Sequence, residues 1–232
     1  GGSSSTTILI VIINTAPEIT TVTTSPSVDI RTYGTVECAA VATDADGGTP
    51  TLDYAWTKED GTLLGSEATL TLSPDMVSPE DSITCTATAT DIHGGSTSTT
   101  ILIVIINTAP TVATVAASPS SGVSTSTTVV CTASVTDPDG ESPSVSYVWT
   151  NEAGFTLGLE SSLTLSPASV TPGDIITCTA TANDGYGGSD SNAVTILIGN
   201  TGPEITSIST TPSEDITTST TVVCGADAED DD

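Results

Sequence analysis

Residues 82–90 read Ser-Ile-Thr-Cys-Thr-Ala-Thr-Ala-Thr, with Ile83, Cys85, Ala87 and Ala89 in one phase and hydroxyl residues in the other. Alternation of this kind sends every second side chain to the same face, so the stretch predicts a half-buried β-strand. The neighbouring segments follow the same rule. Thr35–Thr43 brings Val36, Cys38, Ala40 and Ala42 to one face, and Leu52–Trp56 alternates Leu52, Tyr54 and Trp56. Ala68–Leu72 directs Leu70 and Leu72 to one side, and an apolar run ending at Ile106 supplies a last strand. Pro17, Pro26, Pro50, Pro74 and Pro79 fall at strand edges or loops, where a missing N–H breaks no ladder. Short strands separated by turn residues predict an all-β sandwich.

The whole pattern then repeats. Asn14-Thr-Ala-Pro17 returns as Asn107-Thr-Ala-Pro110 and as Asn200-Thr-Gly-Pro203, each step being 93 residues. The same spacing links Cys38, Cys131 and Cys224, as well as Trp56 with Trp149, Cys85 with Cys178, and Asp91 with Asp184. Fixed-period self-similarity marks an array of like units. The expected organisation is the final strand of a preceding repeat (1–13), two whole repeats (14–106 and 107–199) and the first strands of another (200–232). Residues 1–17 copy 94–110 except for Ser4 against Thr97. The chain therefore reads as a window on a longer array, and the lack of a signal segment at its start carries no weight.

Composition narrows the function. Of 232 residues, 29 are acidic and 2 basic, for a formal charge of −27. Nucleic acid and anionic membranes are repelled by such a chain, which excludes both as expected partners. Its longest apolar runs, Ile8–Ile13 and Ile101–Ile106, are strand-sized, so no membrane insertion is expected within this segment. Counter-charge must come from solvent cations, although a simply acidic, soluble surface explains the charge as well. His93 is the single histidine, and Tyr186 replaces it one repeat later. No nucleophile elbow, HExxH, P-loop or CxxC pair occurs, so no enzyme is expected.

The order Cys38…Trp56…Cys85 resembles the immunoglobulin superfold, and the stretches YAWT, LTLSP and ITCTATATD resemble surface Ig-like and PKD-like repeats of bacteria and archaea. Ile83 stands where antibody domains place a corner tyrosine, and the spacing between the cysteine strands is short. The resemblance thus points to a generic Ig-like sandwich. It implies inter-sheet disulfides Cys38–Cys85 and Cys131–Cys178, with buried free thiols as the alternative. Cys224 is left without its mate. Disulfides persist in oxidising compartments, so an extracellular, cell-surface or secreted location is expected.

With Thr35–Thr43 as strand B, Leu52–Trp56 as C, Ala68–Leu72 as E, Ser82–Thr90 as F and the run ending at Ile106 as G, the B–C and F–G loops of an Ig-like sandwich share one end with the start of strand A, which follows Asn14. Asn14, Asp44, Asp46 and Asp91 should therefore converge, as should Asn107, Asp137, Asp139 and Asp184, with Asn200, Asp230 and Asp232 opening a third set. The E–F loops add Asp81 and Asp174, with Asp75 and Glu80 in the first repeat. Ca2+ accepts six to eight oxygens in flexible geometry, which suits such a collection. The Asn-Thr-Ala-Pro linker is similar to the cadherin linker with its Asn-Ala-Pro ending, where calcium stiffens domain junctions. Against this stands the reading of Asp-x-Asp-Gly as a solvated turn.

Ser96–Thr100 and Ser124–Thr128 crowd hydroxyls on apparent outward positions, inviting O-linked glycans, whereas no N-x-Ser/Thr sequon occurs. The strand ending at Ile106 is apolar on both faces, which suggests self-association or another cover. The expected function is a structural stalk or filament of tandem repeats rigidified by calcium. An adhesin or glycan-binding array, with Phe155 and Tyr186 as its contact residues, is the rival.

Overall fold

A computed structural model describes residues 1–230 and 232. All of its regular structure is β. The first repeat holds β1 (Glu18–Ser25), β2 (Gly34–Thr43), β3 (Thr51–Lys58), β4 (Leu63–Gly65), β5 (Thr69–Leu72), β6 (Ser82–Thr90) and β7 (Ser96–Val104). The second holds β8 (Thr111–Ser118), β9 (Thr128–Thr136), β10 (Ser144–Asn151), β11 (Thr156–Gly158), β12 (Ser162–Thr164), β13 (Ile175–Asn183) and β14 (Ser189–Leu197). A hairpin of β15 (Glu204–Thr211) and β16 (Val223–Glu229) follows.

Within each full repeat a three-stranded sheet, β1-β2-β5 or β8-β9-β12, faces a four-stranded one, β4-β3-β6-β7 or β11-β10-β13-β14. All these pairings are antiparallel, between hairpin-linked strands such as β6 and β7 and between strands distant in the chain such as β3 and β6. The chain is thus an all-β tandem of Ig-like sandwiches.

By compactness it divides into two units. The first is Gly1–Thr108 together with Pro138–Glu141; the second is Ala109–Asp137 with Ser142–Asp232. The break at Thr108 lies close to the repeat boundary, and the loop tip Pro138–Glu141 belongs to the first unit although it lies in the second repeat.

Alternation in β6 is complete, with Ile83, Cys85, Ala87 and Ala89 all fully buried. Trp56 stands opposite Cys85 on the neighbouring strand, and Trp149 opposite Cys178. Both indoles are fully buried, and each Nε1–H donates to a backbone carbonyl at 3.0 Å, Glu67 or Glu160. Burying an indole without that acceptor would leave a costly orphan donor. Cys38–Cys85 and Cys131–Cys178 are disulfides, and Cys224 is free and exposed.

Three local expectations change. The last strand of the first repeat starts at Ser96 and ends at Val104, because the Ser/Thr half pairs along all of β6. Only one face of the apolar run is buried: Ile103 and Ile105 lie in the core, while Leu102 and Val104 stay exposed. Residues 1–13, read as the final strand of a preceding repeat, form no strand.

Candidate functional site

Each Asn-Thr-(Ala/Gly)-Pro linker is held through its backbone by an aspartate from the B–C loop. The N–H of Thr15 donates to Asp46 Oδ2 at 2.5 Å, and that of Thr108 to Asp139 Oδ2 at 2.5 Å. Thr201 N–H donates to Asp232 Oδ2 in the third instance. The loop itself is an Asx turn. Asp46 N–H donates to Asp44 Oδ1 at 2.8 Å, and Asp232 N–H to Asp230 Oδ1 at 3.1 Å. A short carboxylate reaches the amide two residues on, which is why Asp recurs at alternate positions here.

The loop after β6 closes the same end of the first sandwich. Asn14 Nδ2 donates to Asp91 Oδ2 at 2.9 Å, while Asp91 Oδ1 accepts the N–H groups of His93 at 2.8 Å and Gly95 at 2.9 Å. The Asn14 amide, opposed by partial desolvation and aided by the Gly95 and His93 N–H groups, holds the Asp91 carboxyl below its ordinary value. Asp184 repeats the turn, accepting Tyr186 N–H at 2.7 Å and Gly188 N–H at 3.0 Å. Asn14, Asp44, Asp46 and Asp91 are therefore brought together, linked by direct contacts or through Thr15.

Other expected site residues have partners of their own. The Asn107 backbone carbonyl accepts from Arg31 Nη1 at 3.0 Å, and Asn200 Nδ2 donates to Thr201 O at 2.6 Å. Asp81 lies in its own E–F turn, where Oδ2 accepts Ser78 N–H at 3.0 Å and pairs with Lys58 Nζ at 2.9 Å. Desolvation raises its pKa, but the Ser78 N–H and the Lys58 ammonium outweigh it and hold the carboxyl below the ordinary value. Asp174 likewise accepts Thr171 N–H at 2.8 Å within its turn.

Sequence reasoning missed Glu141. Ligand oxygens of Asp137, Asp139 and Glu141 lie within 4.8 Å of one another in one loop, with Asp139 buried and its neighbours half-buried. Such a group can hold a metal ion, and its chemistry, hard carboxylate oxygens only, fits Ca2+ or Mg2+ better than a softer metal. Acids at alternate positions of Asp-Pro-Asp-Gly-Glu were the available signal. Thr32 and Thr125 were missed too. Both are fully buried; Thr32 Oγ1 donates to Asp139 Oδ1 at 2.6 Å and Thr125 Oγ1 to Asp232 Oδ1 at 3.2 Å. Thr125 lies inside Ser124–Thr128, a stretch read from sequence as outward.

No family model matches this chain, and no curated protein does. Similar solved structures include the amphioxus IgVJ-C2 molecule, at 20% identity over 73% of this chain and 98% of that one, with a TM-score of 0.38. Three N-terminal domains of the bacteriophage RB49 Highly Immunogenic Outer Capsid protein match at 14% identity, 93% and 70% coverage, and a TM-score of 0.32. A tetra-tandem repeat in the extending region of a large adhesion protein matches at 14% identity over 89% of this chain and 61% of that one, with a TM-score of 0.34. The Ig-like assignment rests on the strand topology and the buried Cys–Trp–Cys core. Among the described residues no helix is long and apolar enough to cross a membrane.

Gly95 makes the Asn14–Asp91 contact possible. A Cβ there would lie 2.5 Å from Asp91 Oδ2, 2.7 Å from Asn14 Nδ2 and 3.2 Å from Ala16 Cα. Gly95→Ala should therefore displace Asn14 and speed amide exchange at residues 14–16. Because the site is superficial, the main unfolding transition should hardly move. Hydrogen exchange read alongside calorimetry checks both halves.

Proposed function

We propose that this chain is a segment of an extracellular stalk or filament of tandem Ig-like repeats, stiffened by calcium at the linkers. The observation that carries the reading is the Asp137–Asp139–Glu141 group, within 4.8 Å and on the loop that holds the Thr108 amide. Clustered carboxylates repel one another, and the formal charge of −27 leaves few internal cations to relieve them. Lys58 is already engaged by Asp81, and Arg31 donates to Asn107 O and Thr108 Oγ1. Calcium adds positive charge without demanding rigid geometry. Two disulfides support an oxidising, extracytoplasmic setting.

Exposed hydroxyls at Ser96, Ser98, Thr99 and Thr100 on β7 support O-glycosylation of the outer surface. Quasi-one-dimensional arrays need only neighbour contacts, which suits a spacer. An adhesive, glycan-binding reading draws support from Phe155, 70% exposed beside β11; binding of this chain to a glycan array, lost in Phe155→Ala, would favour it.

The calcium reading is tested by titration calorimetry and small-angle scattering of the full chain. Calcium should bind, and Asp137→Asn or Glu141→Gln should each weaken it on the order of tenfold, since carboxylate count tunes affinity in such sites. Chelation should broaden the distance distribution. Absence of binding at millimolar calcium, with identical scattering after chelation, would remove calcium from the mechanism and leave the repeat array.

A further inference from the structure

Asp139 has both carboxylate oxygens committed to protein donors. Oδ2 accepts the Thr108 N–H at 2.5 Å, and Oδ1 accepts the Thr32 hydroxyl at 2.6 Å and, more weakly, the Thr108 hydroxyl at 3.4 Å. Thr32 is fully buried and Asp139 is 3% exposed, so these bonds are shielded from water. All three residues belong to the first compact unit. The second unit contains the same arrangement 93 residues on. Asp232 accepts Thr201 N–H on Oδ2 and the fully buried Thr125 hydroxyl on Oδ1. The Thr201 N–H, opposed by desolvation and aided by the Thr201 and Thr125 hydroxyls, holds the Asp232 carboxyl below its ordinary value. That depression belongs to an ionised acceptor.

We propose that the second aspartate of the Asp137–Asp139 and Asp230–Asp232 loops is a cation-independent clamp. It secures the linker amide on one oxygen and a buried threonine hydroxyl on the other. Three observations carry the idea beyond a single contact. The pattern occurs twice with the same atoms. It pairs residues 107 positions apart each time, so it is no local turn. It also gives a fully buried hydroxyl a charged acceptor, and burying it without one is costly. The first Asp-x-Asp loop supplies a contrast, because Asp46 holds the Thr15 N–H at an exposed position.

The clamp divides labour within the loop. Asp139 fixes the chain, while Asp137 and Glu141 add the further carboxylates that the proposed metal would use. This refines the calcium-stiffened stalk and rests on it only in placing the linker at the mechanical heart of the array; the clamp needs no ion. Charge-assisted bonds of this type are stronger than neutral ones, and they strengthen further where water is excluded.

The test is residue-resolved hydrogen exchange on the full chain in EDTA, for wild type, Thr32→Val and Asp139→Ala. In wild type the Thr108 and Thr201 amides should be protected without calcium, and more strongly than Thr15. Thr32→Val keeps side-chain volume and removes only the hydroxyl. It should speed exchange at Thr108 by roughly tenfold, the factor that losing one buried charged hydrogen bond represents, while Thr201 stays unchanged as an internal control. Asp139→Ala should expose Thr108 further.

If Asp139→Ala perturbs the fold, which far-ultraviolet circular dichroism would reveal, Thr32→Val alone still decides. Protection at Thr108 that appears only on adding calcium would overturn the clamp while leaving the calcium reading intact. So would protection that Thr32→Val leaves unaltered. Protection in EDTA that Thr32→Val abolishes, in a chain that binds no calcium, would uphold the clamp and end the calcium reading.

Discussion

Replacing Cys131 and Cys178 together by alanine should lower the stability of the second sandwich by roughly 4 kcal/mol. The bridge closes a loop of 47 residues, and releasing it restores that loop's freedom to the unfolded chain. Both sulfurs are buried, at 1% and 0% exposure, so the lost side-chain volume adds to the effect. For a domain of this size the melting transition should fall by at least about 15 °C. The Cys38–Cys85 domain, left intact, serves as the reference transition in the same calorimetric trace. A second-repeat transition that stays in place would show that packing between the two sheets suffices without the covalent link. Reduction with a strong thiol reductant should reproduce the shift in both repeats.

Trp149→Ala should cost the same sandwich about 3–5 kcal/mol. The indole is the largest fully buried side chain of its core, where it packs with Val129, Leu163, Ile176 and Ile196. So few aromatic residues are present that no other side chain can fill the space it leaves; Phe155, the single phenylalanine, lies outside on the surface. Trp149→Phe should recover most of the loss but not all, because the Nε1–H bond to Glu160 O at 3.0 Å disappears and leaves that carbonyl to find water. The two effects should not add. Trp149 stands opposite Cys178 on adjacent strands, so the triple variant should lose less than the sum of its parts. Denaturant midpoints for the single and combined variants measure the coupling. Additivity within a few tenths of a kcal/mol would mean that bridge and indole stabilise the sandwich independently.

Both predictions concern features that are local and periodic, and these were legible in the amino-acid order. A strand reveals itself because side chains alternate with a period of two. The phase of Ile83, Cys85, Ala87 and Ala89 therefore named the inward face before any fold existed. The period of 93 residues named the recurrence of the strand order, and cysteines on facing strands together with the Ig-like order named the bridges. The convergence of Asn14, Asp44, Asp46 and Asp91 was readable for a related reason: in an Ig-like sandwich the link from β2 across to β3 and the turn between β6 and β7 lie at one end.

What the sequence could not supply is the fate of individual polar atoms. Asp81 and Asp174 looked equivalent to the linker acids, yet each was taken by the nearest backbone N–H in its own turn, and Asp81 by Lys58 as well. Thr32 and Thr125 were indistinguishable among many threonines, because a hydroxyl says nothing about whether it faces water or a carboxylate 107 residues away. Thr125 even sat in a stretch whose composition argued for the outside. Alternation encodes which face of a strand is dry. Which donor reaches which acceptor depends on distances of a few tenths of an ångström between segments far apart in the chain, and those are set only when the sandwiches close.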